Sequence, residues 1–531
     1  MRLLPDNTYL ADRALRATLQ AALSEELMRL AGPQLEEIGR AAAHELQEWG
    51  DQCERQPAFL RPVDPWGERV DEVIYPDAWR SIGAYAARAG LTALPYEPDT
   101  TLLKAGPAAR VLQTALLYLF HPSTATYSCP IAMTDGAARV LADFGPGELR
   151  SSVLPHLIAR DPAQAWTAGQ WMTERQGGSD VGANTVEARH ENDGWRLYGL
   201  KYFCSNPTGE IALVLARPQG RAPGTRGLGL FLVPRILPDG TRNRLRIERL
   251  KEKLGTRAMA TAEIRLESAF AHLVGEIDRG FAQMTSMLTI TRLHNAIASA
   301  ATMRRAVMLA SAYAVKRTAF GRRLDQHPLQ RQVLCQMAVH AEANLVLTMR
   351  IAELLGCVER RQARPEDEML LRLGSSLAKA YTGRWAVAIA SEAVEAFGGA
   401  GYMEDTGIPR LLRDAQVLPI WEGTTNVLSL DAWRVLQRPG SIEALDHELA
   451  RLEAPGRIQL LDELKAAMRD QGVAEAGARW WQERITEAWI GGLLQARARI
   501  GVAERAVAER WQGRAAAPAG DARDLEQILA S

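Results

Sequence analysis

The sequence changes its hydrophobic repeat twice, and this change constrains the fold more than any other feature. In the N-terminal part, apolar residues recur every three or four positions, as at Leu15, Leu19 and Leu23, which is the spacing of an amphipathic helix. From Trp166 to about residue 275, short β-prone runs separated by turn residues replace that spacing. After Gly280 the helical pattern returns. We therefore expect an α+β chain in which a β domain lies between helical domains.

These patterns predict four domains. They are an N-terminal helical domain over residues 1–165, a β-barrel-like middle domain over 166–275, a helical bundle over 276–440 and an additional helical C-terminal domain over 441–531. The strongest β runs cover residues 195–203, 211–215, 230–233 and 263–270. Gly32 and Pro33 predict a break in the first helical domain, because proline lacks the N–H that a helix interior needs.

Charge and cysteine content exclude several classes of protein. The 63 basic and 63 acidic residues give no net charge, which argues against an overall electrostatic hold on nucleic acid or anionic lipid. The five cysteines are scattered without the paired spacing of a zinc site, so we expect reduced, mostly buried thiols and no metal. No apolar run approaches the length of a membrane span, and we expect a cytoplasmic protein without membrane contact.

The run PIWEGTTN places one carboxylate, Glu422, in a short apolar stretch and follows it with glycine and two hydroxyls. An acid beside Ile420 and Trp421 is poorly stabilised as an anion, which makes it a candidate general base. The alternative is a helix N-terminal glutamate with Thr424 or Thr425 as the cap.

Four further motifs stand out from the rest of the sequence. They are MTERQGGSDV from Met172, KYFCSN from Lys201, RTAFG from Arg317 and FGGAGY from Phe397. The adjacent glycines of the first motif permit close backbone approach, and the hydroxyls of Thr173 and Ser179 can bond a flavin edge or a pyrophosphate. Taken alone, the Gly-Gly-Ser-Asp string is more typical of a turn with an Asx-type hydrogen bond.

In this order, and with Glu422 last, the motifs resemble those of the acyl-CoA dehydrogenase superfamily of flavoproteins. The resemblance covers roughly residues 100–435. The runs PDNTYL from Pro5, DEVIYP from Asp71 and CPIAMT from Cys129, with the long tail after residue 440, resemble the AidB subgroup, which is associated with the response to DNA alkylation. The resemblance implies the superfamily fold of N-terminal helical domain, central β domain and C-terminal helical bundle, here with an extra helical C-terminal domain.

The resemblance implies an FAD site shared between two subunits. The implied FAD contacts are Met172, Thr173, Ser179, Phe203, Ser205, Arg317, Phe320, Gly398, Gly399, Thr424 and Asn426. Phe203 stands where the superfamily usually has a tryptophan packed on the flavin. The Arg317 guanidinium would grip the pyrophosphate bound mainly by the neighbouring subunit. A shared site implies a homo-oligomer, which in this family is usually a dimer of dimers.

The reaction implied by the resemblance is the α,β-dehydrogenation of an acyl-CoA thioester. Glu422 would remove the α proton while hydride leaves the β carbon for flavin N5, giving a trans-2-enoyl thioester. An electron-transfer flavoprotein would then reoxidise the FAD. Arg292 matches a substrate-binding arginine of the family, and Thr289 stands where many members have an aspartate.

Two other functions stay open. An AidB-like flavoprotein would bind duplex DNA through its C-terminal domain and protect it from alkylation, with little dehydrogenase turnover; a flavin-bearing scaffold with little turnover is the third hypothesis. The arginines that could form a basic face are Arg479, Arg484, Arg497, Arg499, Arg505, Arg510 and Arg514. Acidic residues slightly outnumber basic ones across 441–531, which favours a solvated helical surface instead.

Overall fold

The computed structural model describes residues 3–97, 106–191, 194–469, 471–514 and 522–529. The chain divides into two compact units. The first contains Met1–Glu45, Asp99–Pro122 and Asn295–Ser531, and the second contains Leu46–Pro98 and Ser123–His294.

The described residues form helices along most of the chain. In chain order they are α1 (Arg13–Ala22), α2 (Glu25–Ala43), α3 (Glu45–Arg55), α4 (Asp77–Arg88), α5 (Ala108–Phe120), α6 (Ser128–Phe144), α7 (Gly147–Ser152), α8 (Leu154–Leu157), α9 (Gly280–Lys316), α10 (Pro328–Glu359), α11 (Pro365–Ala396), α12 (Ile408–Ala415), α13 (Thr425–Leu436), α14 (Ser441–Arg451), α15 (Arg457–Ala467), α16 (Gln471–Ala476), α17 (Ala478–Arg497), α18 (Val502–Gln512) and α19 (Ala522–Leu529).

The first unit is a helical bundle with α11 at its centre. Helix α11 packs against α10, α13 and α17, so the tail helix α17 shares the core of the bundle. Trp489 of α17 is fully buried, and a Cβ placed on Gly374 of α11 would lie 3.0 Å from its ring. Glycine at that position therefore permits the close approach of the two helices.

The break predicted at Gly32 and Pro33 is wrong. Helix α2 continues from Glu25 to Ala43 with Pro33 inside it. Its N-terminus is capped by the Ser24 hydroxyl, which accepts the Leu27 N–H at 3.3 Å. Leu35 and Ile38 follow the proline and are buried, so packing of this face outweighs the lost backbone hydrogen bond.

The described strands are β1 (Phe59–Val63), β2 (Arg69–Ile74), β3 (Ala168–Trp171), β4 (Glu187–Glu191), β5 (Gly194–Ser205), β6 (Ile211–Pro218), β7 (Gly229–Pro234), β8 (Leu245–Leu250), β9 (Thr261–Val274), β10 (Thr318–Ala319) and β11 (Arg322–Arg323). In the second unit, β3, β6, β4, β5, β9 and β7 are neighbours in that order, and β8 joins β9. Because β6 also pairs with β7, the order closes on itself as in a barrel.

Alternation along β6 shows why this sheet is buried on both faces. Leu213 and Leu215 contribute to a core shared with helix α6, whereas Ala212, Val214 and Ala216 belong to the core inside the sheet. The β-prone runs of the sequence correspond to β5, β6, β7 and β9. Strands β3, β4 and β8 were not predicted, nor was the β1–β2 hairpin, which lies within the region predicted to be helical.

Apart from that hairpin, helices precede the β domain and follow it, as predicted. The predicted fold class is therefore confirmed. The five cysteines, which all lie in the described residues, form no disulfide; Cys53, Cys204 and Cys335 are buried, as expected. Within the described ranges, no helix has both the length and the apolar character that a bilayer span requires.

Candidate functional site

Glu422 lies in the loop between α12 and α13, three residues before the first residue of α13. Its backbone has φ of +58°, and the following Gly423 has φ of +105°. A residue with a Cβ rarely adopts this left-handed conformation, so the position of the carboxylate depends on neighbours that hold the loop. The expected apolar wall is incomplete in this chain, because Ile420 is 59% exposed while Trp421 is half-buried.

Two buried side chains of the first unit contact this loop, and the sequence analysis missed both. Lys379 of α11 donates from Nζ to the Gly423 carbonyl oxygen at 2.6 Å. Asn295 of α9 donates to the Leu418 carbonyl oxygen at 3.0 Å and accepts the Trp421 indole N–H at 2.6 Å. A lone lysine in the apolar run SSLAKAYTG was the available signal for Lys379.

Thr424 and Asn426, predicted FAD contacts, are both exposed at the N-terminus of α13. The Thr424 carbonyl accepts the Leu428 N–H at 2.9 Å and starts the helix. Within the described residues, its hydroxyl makes no capping bond. The cap alternative to a catalytic Glu422 therefore gains no support from Thr424.

Arg317 and Phe320 lie on a small hairpin that follows α9. Strands β10 and β11 pair here, with Phe320 at the tip, where its φ is +50° and its exposed fraction is 97%. Arg317 is exposed at the base of the same hairpin, and its carbonyl accepts the Leu324 N–H at 2.9 Å. An aromatic ring presented in this way is suited to a surface that another molecule covers.

Gly398 and Gly399 begin a 3₁₀ segment after α11. Gly398 has φ of +59°, and no described atom lies within 4 Å of the place where a Cβ would stand on either glycine. The Phe397 ring just before them stacks on Tyr313 of α9 at 4.3 Å between centroids. The two glycines thus form an open backbone surface on a fixed support.

In the second unit, Met172 and Thr173 follow the end of β3. The Met172 carbonyl accepts the Asn184 amide at 2.8 Å, and the Thr173 carbonyl accepts the Tyr202 N–H at 3.0 Å. The latter bond places Thr173 beside strand β5, which carries Phe203. The predicted Ser179 is exposed in the glycine-containing turn that follows.

Glu174 and Lys201 form a fully buried ion pair behind these residues. Lys201 Nζ lies 2.8 Å from Glu174 Oε1 and 3.2 Å from the Met172 carbonyl oxygen. Glu174 also accepts the Thr185 N–H at 2.6 Å and the Val186 N–H at 3.1 Å. Burial opposes ionisation of Glu174, but the charge of Lys201 and these hydrogen bonds hold its pKa below the ordinary value. The pair fixes the backbone that presents Met172.

Phe203 and Ser205 lie on β5. The Phe203 ring is 54% exposed, and the Ser205 carbonyl accepts the Trp171 indole N–H at 3.2 Å. Lys251 Nζ lies 3.1 Å from the Tyr202 ring centroid and 4.8 Å from that of Phe203. The structure thus brings Met172, Thr173 and Phe203 together in the second unit, while Glu422, Thr424 and Asn426 share one loop in the first.

Comparison with known protein families identifies the family of this chain. Three domain families match: the adaptive response protein AidB N-terminal domain over residues 2–161, the acyl-CoA dehydrogenase middle domain over 169–269 and the acyl-CoA dehydrogenase C-terminal domain over 278–436. The putative acyl-CoA dehydrogenase AidB of Escherichia coli is 34% identical over 88% of this chain and 84% of its own length. The chain belongs to the acyl-CoA dehydrogenase family.

One further member of the acyl-CoA dehydrogenase family, compared both as a sequence and as a crystal structure, is similar along most of the chain. Acyl-CoA dehydrogenase family member 11 of Caenorhabditis elegans is 43% identical over 81% of this chain and 70% of its own. The crystal structure of C. elegans ACDH-11 in complex with C11-CoA superposes with a TM-score of 0.91 at 36% identity, covering 96% of this chain and 91% of that one.

Arg292, the predicted substrate-binding residue, lies in the second unit. Arg292 is half-buried on α9, and Thr289 one turn before it donates its hydroxyl to the Thr285 carbonyl at 3.1 Å. Threonine at this position therefore bonds within its own helix, whereas an aspartate would add a charge there.

Several of the tail arginines that could form a basic face pair with acids of the same unit. The ion pairs are Arg479–Glu483 at 3.8 Å, Arg484–Glu463 at 2.6 Å, Arg497–Glu342 at 3.3 Å, Arg499–Glu453 at 2.9 Å and Arg514–Glu487. Arg510 donates to Gln332 at 3.0 Å, and Arg505 is exposed. Neutralised arginines release few counterions from DNA, so the tail of this acyl-CoA dehydrogenase family member gives little support to a phosphate-binding face.

Proposed function

We propose that this protein is an FAD-dependent acyl-CoA dehydrogenase in which Glu422 removes the α proton of an acyl-CoA thioester. The observation that carries the proposal is the held, left-handed backbone of Glu422 at the start of α13. Such strained conformations cluster at functional sites, because the surrounding structure must maintain them. Membership of the acyl-CoA dehydrogenase family supplies the reaction type.

The residues present fit FAD. Gly398 and Gly399 have no side chain, so the space beside their backbone is open to a cofactor. A side chain at either position would fill that space. The exposed Phe203 ring offers a flat apolar surface to an isoalloxazine, and the exposed Arg317 offers a guanidinium to a pyrophosphate. Met172, Thr173, Ser179, Ser205, Thr424 and Asn426 complete the proposed contacts. When bound, FAD supplies a two-electron acceptor for the hydride that leaves the β carbon.

The side chains of this chain would perform the proton chemistry and the positioning. A Glu422 carboxylate oxygen takes the α proton, since thioester α C–H bonds become more acidic when the carbonyl is polarised. Arg292 contributes a cation to substrate binding. We infer that the substrate is an acyl-CoA, because ACDH-11 was crystallised with C11-CoA, and that an electron-transfer flavoprotein removes the electrons.

A shared FAD site makes a homo-oligomer, proposed as a dimer of dimers, part of this function. The 97% exposed Phe320 beside Arg317 supports it, because a partner subunit would cover that ring. Light scattering of the purified protein measures the assembly directly. Protection of DNA through the C-terminal domain is the alternative function, and the paired tail arginines do not favour it.

The proposal is tested by mixing the purified protein anaerobically with a panel of acyl-CoAs, including C11-CoA, and following flavin absorbance. We expect bleaching by at least one thioester, and we expect Glu422→Gln to slow it by about 10²- to 10⁴-fold. Glu395→Gln is the matched control, because Glu395 is an exposed acid on α11. The absence of bleaching by every thioester, or wild-type bleaching by Glu422→Gln, would refute the proposal.

A further inference from the structure

We propose that Lys379 and Asn295 are positioning residues that hold the Glu422 loop in the conformation required for proton removal. The inference rests on the proposed function and extends it to two residues with no predicted role. Both contacts belong to the first unit, and both end on backbone or ring atoms next to Glu422.

The backbone around Glu422 needs external support. Glu422 and Gly423 have consecutive positive φ values of +58° and +105°. A Cβ in this region approaches its own backbone closely, so a free loop would leave the conformation for a commoner one. Relaxation at Glu422 would swing the carboxylate away, because the side-chain direction follows φ and ψ.

Lys379 supplies support on the C-terminal side of Glu422. It is fully buried, and its ammonium donates to the Gly423 carbonyl at 2.6 Å. A buried ammonium is unfavourable unless it is hydrogen-bonded, and an apolar side chain at the same position would suit the helical core better. The Gly423 carbonyl is a partner that compensates the buried ammonium of Lys379.

The same face of α11 also holds helix α13. Arg372, Ser376 and Lys379 follow one another at helical spacing. Arg372 donates to both carboxylate oxygens of Asp431 on α13 at 2.8 and 2.5 Å, and Ser376 donates to the same carboxylate at 2.7 Å. Helix α13 therefore cannot slide along α11 without breaking these bonds, and the loop before it is held between two fixed points.

Gly383 extends this face beneath the start of the loop. A Cβ at Gly383 would lie 3.0 Å from the Leu418 carbonyl oxygen, so the loop rests against the α11 backbone. Asn295 then bonds the same carbonyl at 3.0 Å and the Trp421 indole at 2.6 Å. One amide thus connects the residue directly before Glu422 to the start of its loop.

The experiment compares Lys379→Met with wild type in the FAD-loaded protein. We would measure kcat and KM, and separately the exchange of α protons for deuterium in an acyl-CoA whose β carbon is replaced by sulfur. That analogue loses its α proton but transfers no hydride. We expect kcat and exchange to fall together by about 10- to 100-fold, as for a misplaced base, while KM and FAD content stay near wild type.

Arg350→Met is the matched control. Arg350 is a cation on α10 whose side chain is 10% exposed, and it pairs with Glu448 at 2.8 Å. Its loss removes a charged donor from the same unit without touching the Glu422 loop. We expect this variant to lose thermal stability and to keep wild-type kcat. An equal fall in kcat for both variants would reduce Lys379 to a structural role and overturn the inference.

Trp421→Phe provides a second variant, because it removes the indole N–H that Asn295 accepts and keeps an aromatic, although smaller, side chain. If Lys379→Met does not fold, a fall in exchange for Trp421→Phe supports the inference and wild-type exchange overturns it. If folded Lys379→Met keeps wild-type kcat and wild-type exchange, the inference about Lys379 is overturned and the proposed function is not affected. Wild-type protein that neither bleaches nor exchanges would instead overturn the proposed function.

Discussion

His121, a buried histidine at the end of α5, couples the stability of the protein to pH. His121 is buried, and its Nε2 lies 3.4 Å from the Thr302 hydroxyl. Burial, with the charge of Arg305, lowers the pKa of His121 from 6.5 to about 4. The folded protein therefore holds a neutral imidazole at pH values where the unfolded chain binds a proton.

The free energy of unfolding should accordingly fall as pH decreases from 6.5 to about 4. Within this window the unfolded state binds one more proton at His121 than the folded state does. The free energy of unfolding therefore falls by about 1.4 kcal/mol for each pH unit of acidification. We expect urea unfolding at pH 7 and pH 5 to show a smaller difference for His121→Gln than for wild type. Burial also lowers the pKa of His340 to about 4. Its contribution to the pH dependence is the same in both proteins, so the difference between them reports His121. An unchanged pH difference in the variant contradicts the assignment to His121.

At the scale of one element, α2 shows that tertiary packing can carry a helix through two helix-breaking residues. Gly32 and Pro33 lie in its interior, and Pro33 is exposed. The buried face of α2, which includes Ala31 and Leu35, belongs to the core and holds the helix in place. The local sequence therefore destabilises a helix that the rest of the first unit requires.

Gly32→Ala should stabilise the protein by less than about 1 kcal/mol, because alanine has the higher helix propensity but its Cβ meets the ring of Pro33, which follows directly. Apart from the two chain neighbours, no described atom lies within 4 Å of the Cβ that the substitution adds, so no more distant clash reduces the gain further. Gly39→Ala on the same helix is the contrasting variant, since its Cβ would lie 2.6 Å from the Tyr9 Cβ. Thermal unfolding should rise for the first and fall for the second; a fall for Gly32→Ala would show that α2 is strained there.

At the scale of the whole chain, one buried charge cluster of the first unit joins its N-terminal helix to its tail. Glu342 of α10 lies 2.5 Å from Arg13 of α1 and 3.3 Å from Arg497 of α17. Arg13 also pairs with Glu504 of α18. Since Glu342 and Glu504 are buried, each charge depends on its partners for compensation.

Glu342→Gln should therefore destabilise the protein by about 3 to 5 kcal/mol, because it leaves Arg497 buried without its carboxylate. Glu353→Gln on the same helix is the control: Glu353 pairs with Arg350 but is 50% exposed, and its loss should change stability by less than about 1 kcal/mol. Urea unfolding midpoints measure both. Equal shifts for the two variants would mean that the cluster does not join the N-terminal helix and the tail.

The sequence by itself determined the fold class, because the repeats of 3.6 and of 2 are local properties of the chain. Its motifs also determined the family, and they directed attention to Glu422. The domain boundaries near residues 165, 275 and 440 and the roles of the FAD contacts stay predictions. The break predicted at Gly32 and Pro33 does not occur, because packing of the buried face of α2 outweighs the low helix propensity of these two residues.

Only the tertiary structure decided what supports Glu422. Lys379 is 44 residues from Gly423, and Asn295 is 126 residues from Trp421 in the sequence. A periodic pattern reports which face of a helix is buried, but a hydrogen bond across such separations exists only after the helices pack. The buried pair of Glu174 and Lys201, 27 residues apart, was hidden for the same reason.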